Sequence, residues 1–197
     1  MISTPDQELL DTVLTLIHSR QHVSPKRVGE PGPDSEQIGK ILSAAAAAPD
    51  HGRLTPWRLV IIPAERRQLL AEAFAEALVE RDPEATEMQK QDARDKAYRA
   101  PLLLLVIARL GPALGPTHPQ ERLISAGCAV QNMLLAAHAM GFGAGLSSGR
   151  ALYSRQIRLL FKLADDEQPL CFLTVGTVQW GKHSRPRPAP DDYTSTL

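Results

Sequence analysis

Between Gln120 and Met140 the chain places apolar or small residues around nearly the whole circumference of a helix: Ala126, Cys128, Ala129, Val130, Met133, Leu134, Leu135, Ala136, Ala137, Ala139 and Met140. A helix without a polar face has to be covered on every side. A chain of 197 residues has little material with which to do that alone, so the segment predicts a central helix shared with a second subunit. Upstream, Leu102 to Ala108 is an unbroken apolar run of strand length, the pattern of a strand buried on both faces.

The other elements are shorter and punctuated. Thr4-Pro5-Asp6-Gln7 reads as a capping-box start for a first helix that ends near Ser19, with Leu9, Leu10, Val13, Leu14, Leu16 and Ile17 at helical spacing. A Pro- and Gly-rich loop runs from Arg20 to Pro33. Asp34 and Gln37 then start a helix with Ile38, Ile41, Leu42 and Ala45 inward, stopped by Pro49. Arg58 to Ile62 is a β-branched strand, 64–81 and 84–99 are helical around Pro83, 142–147 is a short strand, 154–163 a helix and 170–178 the last strand. Strands and helices do not alternate strictly, which points to an α+β fold and not a parallel Rossmann sheet. No repeat or linker divides the chain, so residues 1–197 are expected to form a single domain.

Composition removes several classes. Lys+Arg and Asp+Glu are both 22, and neither half carries a concentrated basic stripe of the kind that phosphate neutralisation or an anionic membrane surface demands. The N-terminus lacks a basic region followed by an apolar run, no segment reaches the ~18 apolar residues of a membrane span, and the two cysteines sit in apolar segments. These features predict a cytoplasmic protein without nucleic-acid or membrane partners.

Several motifs invite chemistry. Gly141-Phe142-Gly143-Ala144-Gly145 has the look of a dinucleotide fingerprint, but it follows a helix and precedes a strand, which is the wrong order for a phosphate at a helix N-terminus. A helix C-cap followed by a tight turn accounts for it. His18 and His22 are spaced i,i+4 without a third ligand nearby, so no metal site is expected. Cys128 beside His51 or His138, and Ser147-Ser148, lack the surroundings of a nucleophile, and close helix packing explains Cys128. Two basic clusters, Arg20, Lys26, Arg27 and Lys182, Arg185, Arg187, are ordinary solvated charge unless they close on one phosphate, with His51 as a third donor.

Ile17-His18-Ser19-Arg20-Gln21, Glu30-Pro31, Ala48-Pro49-Asp50-His51 with Pro56-Trp57, Arg99-Ala100-Pro101, Ser125-Ala126-Gly127-Cys128-Ala129-Val130, Gly141-Phe142-Gly143 and Val175-Gly176-Thr177 follow one another in an order that resembles the nitroreductase family, and its short YdjA-type members in particular. The resemblance implies a nitroreductase-like fold: a central, mostly antiparallel sheet flanked by helices, in an intertwined homodimer with FMN at the subunit interface. It further implies NADH or NADPH as electron donor, with hydride carried by the flavin N5, so that no catalytic residue of the protein is required. Residues matched to the family's flavin contacts are Ser19, Arg20 and Gln21 after the first helix, Ala47 and His51 around the Pro-Asp-His turn, and Leu146, Ser147 and Ser148 after the later glycines. Lys182 and Arg185 are tail cations able to compensate for the cationic positions that Ser19 and Ala47 occupy. Ala136, Ala137, His138, Ala139, Met140 and Gly141 match the segment assigned to the nicotinamide dinucleotide.

These features lead to an expected FMN-dependent oxidoreductase that passes electrons from NAD(P)H to a nitroaromatic, quinone or similar electron-poor acceptor by ping-pong exchange. The altered positions motivate an alternative, a flavin-binding or flavin-sequestering protein of the same fold that has lost turnover. A cofactor-free interaction module rests on the apolar helix alone.

Overall fold

The computed structural model describes residues 6–112, 117–181 and 186–197. In chain order its elements are α1 Gln7–Ser19, β1 Val28–Gly29, α2 Ser35–Ala45, β2 Trp57–Ile61, α3 Arg67–Arg81, α4 Glu87–Asp95, β3 Leu102–Arg109, α5 Pro119–Ala139, β4 Gly143–Ser147, α6 Arg155–Leu160 and β5 Glu167–Val178. The sheet is ordered β1-β5-β3-β2, with β4 also paired to β5, and every strand pair is antiparallel.

The apolar run in β3 explains the layers. Successive side chains of a strand point to opposite faces, and Leu102, Leu104, Val106 and Ala108 pack with Ile41 of α2 and with Ala126, Ala129, Met133 and Ala137 of α5. Leu103, Leu105 and Ile107 face the other way, against Leu70 and Phe74 of α3, Ala93 of α4 and Ile157 of α6. Helices therefore cover both faces, and an unbroken hydrophobic strand is what that arrangement requires. Phe172 of β5 meets Phe74 edge-on, with ring centroids 5.5 Å apart.

Local signals account for most boundaries. Asp34 and Gln37 form a reciprocal cap on α2, the Gln37 N–H donating to Asp34 Oδ1 at 2.8 Å and the Asp34 N–H to Gln37 Oε1 at 2.9 Å. Thr86 and Gln89 do the same for α4, which shortens the helix expected over 84–99 to Glu87–Asp95, followed by a 3-10 turn at Lys96–Tyr98. The cap of α1 is Asp6, which accepts from the Leu9 N–H at 3.1 Å; Thr4, where the capping box was expected to start, lies outside the described residues. β5 begins at Glu167, three residues before its expected start, and runs through Pro169. Proline lacks the ladder donor, and the register shifts between Val106 and Ile107, the residues opposite Cys171 and Pro169.

Buried charge ties the far end of the sheet together. Arg58 donates through Nε and Nη2 to the two carboxylate oxygens of Glu167 at 2.8 and 2.6 Å, and this holds the Glu167 carboxyl down at about 2. A carboxyl with a lowered folded-state pKa adds stability above its unfolded value and loses it as pH falls through the folded one. Glu167 is accordingly expected to contribute about 3 kcal/mol at neutral pH, of which about 2 kcal/mol is gone by pH 3. Urea unfolding at pH 6 and pH 3 checks this: Glu167→Gln should flatten the acid loss by that amount.

Helix α5 spans the predicted residues, but one chain buries only part of it. Ser125, Ala126, Ala129, Val130, Met133, Leu134 and Ala137 are buried, whereas Ile124 is 66% exposed and Gly127 and Ala139 lie open. The expectation of burial all round is thus not met within one subunit. Helix α1 is more extreme. None of its residues is buried, and Leu10, Val13, Leu14 and Ile17 form one aliphatic face in which each is at least 41% exposed.

Candidate active site

The segment after α1 lies along the free edge of β4. The Val23 N–H donates to the Ala144 carbonyl at 3.0 Å, His22 bridges Ala144 in parallel register, and the Leu146 N–H donates to His22 Nδ1 at 3.4 Å. Small residues in β4 permit this approach. A β-carbon on Gly145 would stand 2.1 Å from the Val23 carbonyl oxygen, and one on Gly143 would stand 2.6 Å from the Val178 side chain. The last two glycines of the 141–145 run therefore serve close packing within a strand, not a turn. Gly141, with φ +85°, follows the C-cap Met140 and ends the helix as a left-handed glycine, its N–H donating to the His138 carbonyl at 2.9 Å. Gly145→Ala is expected to lift the segment from β4 and to cost about 2 kcal/mol or more of stability, measured by thermal unfolding alongside flavin titration.

Between this segment, the end of α5 and β4 lies a cavity of about 320 Å3, lined in part by Ser19, Arg20, Gln21, His138 and Gly141. Ser19 Oγ is 2.8 Å from His138 Nε2. Arg20 Nε is buried without a hydrogen-bond partner, and desolvation together with neighbouring Arg187 lowers the Arg20 pKa. Arg187 itself donates to the His18 and Arg20 carbonyls at 3.3 and 2.6 Å. Two guanidinium groups held together with an orphaned donor form a site that an anion would complete.

Arg27 also lines this cavity, but its Nε and Nη2 both donate to the Trp180 carbonyl, at 3.2 and 2.7 Å. Lys26 lines a different depression beside Glu30 and Asp95. Lys182 and Arg185 lie outside the described residues. Leu146 and Ser147 end β4, half-buried, and Ser148 follows them, exposed. In the matched nicotinamide segment, Ala136, Ala139 and Met140 form the end of α5 and its cap, while the Ala137 side chain is fully buried against the sheet and closed to any ligand.

Ala47 and His51 are elsewhere. Both follow α2, and His51 Nδ1 is 2.8 Å from Glu121 Oε2 in the first turn of α5, which pulls the Glu121 carboxyl below its ordinary range. Ser19 meets α5 at His138. At 1.5 Å per residue the two contact points are about 26 Å apart along one helix. Arg20 and His51 of one chain therefore do not meet on one phosphate, contrary to the convergence considered from sequence. Residues that sequence reasoning missed, His22, Val23, Leu134 and Phe142 among them, also line the cavity near Arg20. The small-residue run in β4 was the only signal for the first two. Among the described residues no cluster of His, Cys, Asp and Glu suits a metal, and no helix is long and apolar enough to cross a membrane.

This arrangement, an antiparallel sheet between helical layers with a cationic niche at the strand edge, agrees with a match of the Nitroreductase family model to residues 26–177. The chain belongs to the nitroreductase family and is an oxidoreductase of that class. It is 34% identical over 171 residues to the Escherichia coli protein described as "Putative NAD(P)H nitroreductase YdjA", covering 86% of this chain and 90% of that one. In structure it is similar to a nitroreductase-like family protein from Bacillus cereus, with a TM-score of 0.79, 17% identity and 100% and 98% of the two chains covered. It also resembles the FMN and NADPH-dependent nitroreductase NfnB from sphigopyxis sp. strain HMH, at a TM-score of 0.72, 19% identity and 93% and 98% coverage.

Proposed function

We propose that the protein is an FMN-dependent oxidoreductase that takes electrons from NADH or NADPH and passes them, in a second half-reaction, to a nitroaromatic, quinone or similar electron-poor small molecule. The observation that carries this is the buried, unpartnered Arg20 Nε beside Arg187, a niche for the phosphate of a bound mononucleotide. When bound, the flavin supplies the hydride chemistry at its N5 position. The chain's own residues bind and orient it: Arg20 and Arg187 take the phosphate, Ser19 and Gln21 border it, and Leu146, Ser147 and Ser148 lie beyond the His22 clip. Ala136, His138, Ala139, Met140 and Gly141 lie at the end of α5 for the nicotinamide dinucleotide, and Lys182 and Arg185 add positive charge to the tail.

The same reading makes the protein a homodimer whose flavin sites are each built from two chains. The bare aliphatic face of α1 and the open side of α5 supply apolar surface for a second copy. The partner's Ala47–His51 turn then completes the site that Arg20 begins, which removes the 26 Å discrepancy. Three measurements test the reading. The visible spectrum of the purified protein should show bound flavin. Stopped-flow mixing with NADPH or NADH should bleach it, and a nitroaromatic or quinone should restore it. Absence of flavin after FMN titration overturns the reading, and bound flavin that neither nicotinamide reduces leaves a flavin-binding protein without turnover.

A further inference from the structure

His51 is held more firmly than an exposed side chain needs to be. It sits in the turn between α2 and β2, where both carboxylate oxygens of Asp50 are engaged: Oδ1 accepts from the Leu54 N–H at 3.0 Å and Oδ2 from the Thr55 N–H at 2.7 Å. Gly52 lies at φ +82°, and Arg53 and Thr55 follow at 55° and 45°. The left-handed region strains a non-glycine residue, above all a β-branched one, so the surrounding contacts hold the turn in a shape it would not adopt alone.

The imidazole is then fixed from a second element. Nδ1 stands 2.8 Å from Glu121 Oε2 in α5, and Nε2 has no hydrogen-bond partner among the described residues. Glu121 has a local role as well, since its Oε1 accepts from the His118 N–H at 3.3 Å in the reciprocal cap of α5. That cap uses one oxygen. The other reaches a histidine 70 residues away in the chain. Stability does not account for this second bond, because the two side chains are 68% and 48% exposed and open pairs of this kind contribute little. What the bond does is place a proton. Glu121, drawn below the ordinary carboxylate range by His51 and the cap, is ionised at neutral pH and can only accept, so Nδ1 carries a hydrogen and Nε2 is the nitrogen left for a ligand.

We propose, on the reading that His51 completes a flavin site begun by Arg20 of a second copy, that Glu121 is a positioning residue of that site: through Nδ1 it fixes the ring orientation and proton placement of His51, so that Nε2 is the atom offered to the cofactor. In the neutral ring Nε2 is then an acceptor, and only a second proton makes it a donor.

FMN titration of the parent, Glu121→Gln, His51→Ala and the double variant tests this. Glutamine keeps the cap of α5, since its side-chain oxygen still accepts from the His118 N–H, but its amide group turns a donor toward Nδ1 where the carboxylate offered an acceptor. Glu121→Gln should weaken FMN about fivefold or more in the parent background and have no further effect once His51 is alanine. Nitrogen NMR of the His51 ring at alkaline pH, where an imidazole is neutral, should show Nδ1 protonated in the parent and the proton moved to Nε2 in Glu121→Gln. A loss of helix stability alone would not move that proton. The same weakening by Glu121→Gln in both backgrounds overturns the proposal, because Glu121 then acts without His51. Parental affinity in either single variant overturns it too. In all these cases the parent still binds FMN and the protein remains a flavoprotein, whereas a parent that binds no FMN overturns the flavin reading and the role of Glu121 together.

Discussion

Glutamate at both Leu10 and Leu14 is expected to produce a folded monomer that no longer retains flavin. Both side chains are already exposed in the single chain, at 46% and 41%, so a carboxylate at either position can reach water and the circular-dichroism spectrum should be unchanged. In a dimer seated on α1 the same residues enter an apolar interface, where an unpaired carboxylate costs several kcal/mol. The dimer dissociation constant should rise about 100-fold or more. Sedimentation at micromolar protein reads the assembly, and FMN titration reads the consequence. A monomeric variant with parental FMN affinity would show that one chain holds the whole site.

Arg20→Ala carries the second large effect. Charge-assisted hydrogen bonds to a phosphate contribute about 1.5–3 kcal/mol, so FMN should bind about 10–100-fold more weakly. Arg20 has no carboxylate partner and its guanidinium is held near Arg187, so removing it relieves like-charge repulsion and should leave the melting temperature level or slightly higher. Riboflavin, which has the same ring system and no phosphate, separates the role from a general disturbance. Its affinity should be nearly the same for variant and parent. An equal loss for both ligands would remove Arg20 from the phosphate niche.

Much of the fold was legible in the sequence where local chemistry decides the structure. The apolar run 102–108 became a strand with helices on both faces, the Asp34–Gln37 pair became a reciprocal cap, and Gly141 ended the helix that runs from Pro119 to Ala139. Interactions that depend on distant segments were not legible. β1 is a two-residue pairing with Val178 and Thr177, and the His22 clip is a single bridge to Ala144. Neither is long enough to impose a periodicity.

The site divides in the same way. The motif at Ser19-Arg20-Gln21 identified one wall of the cationic niche, but sequence order could not reveal that α2 delivers His51 to the opposite end of α5. That follows from how the two helices pack. Arg187 was visible only as one of several tail cations, and its approach to Arg20 is a tertiary fact.

The central claim, that each flavin site joins the Arg20 side of one chain to the His51 side of the other, has a direct test in a mixed dimer. Co-expressing Arg20→Ala and His51→Ala chains with different affinity tags allows the heterodimer to be isolated. A shared site predicts one intact and one doubly altered site per heterodimer, and hence half-stoichiometric FMN binding with parental affinity. Two singly altered sites, one lacking Arg20 and the other lacking His51, with neither at parental affinity, would contradict the account, since that result arises only if Arg20 and His51 of the same chain serve the same flavin.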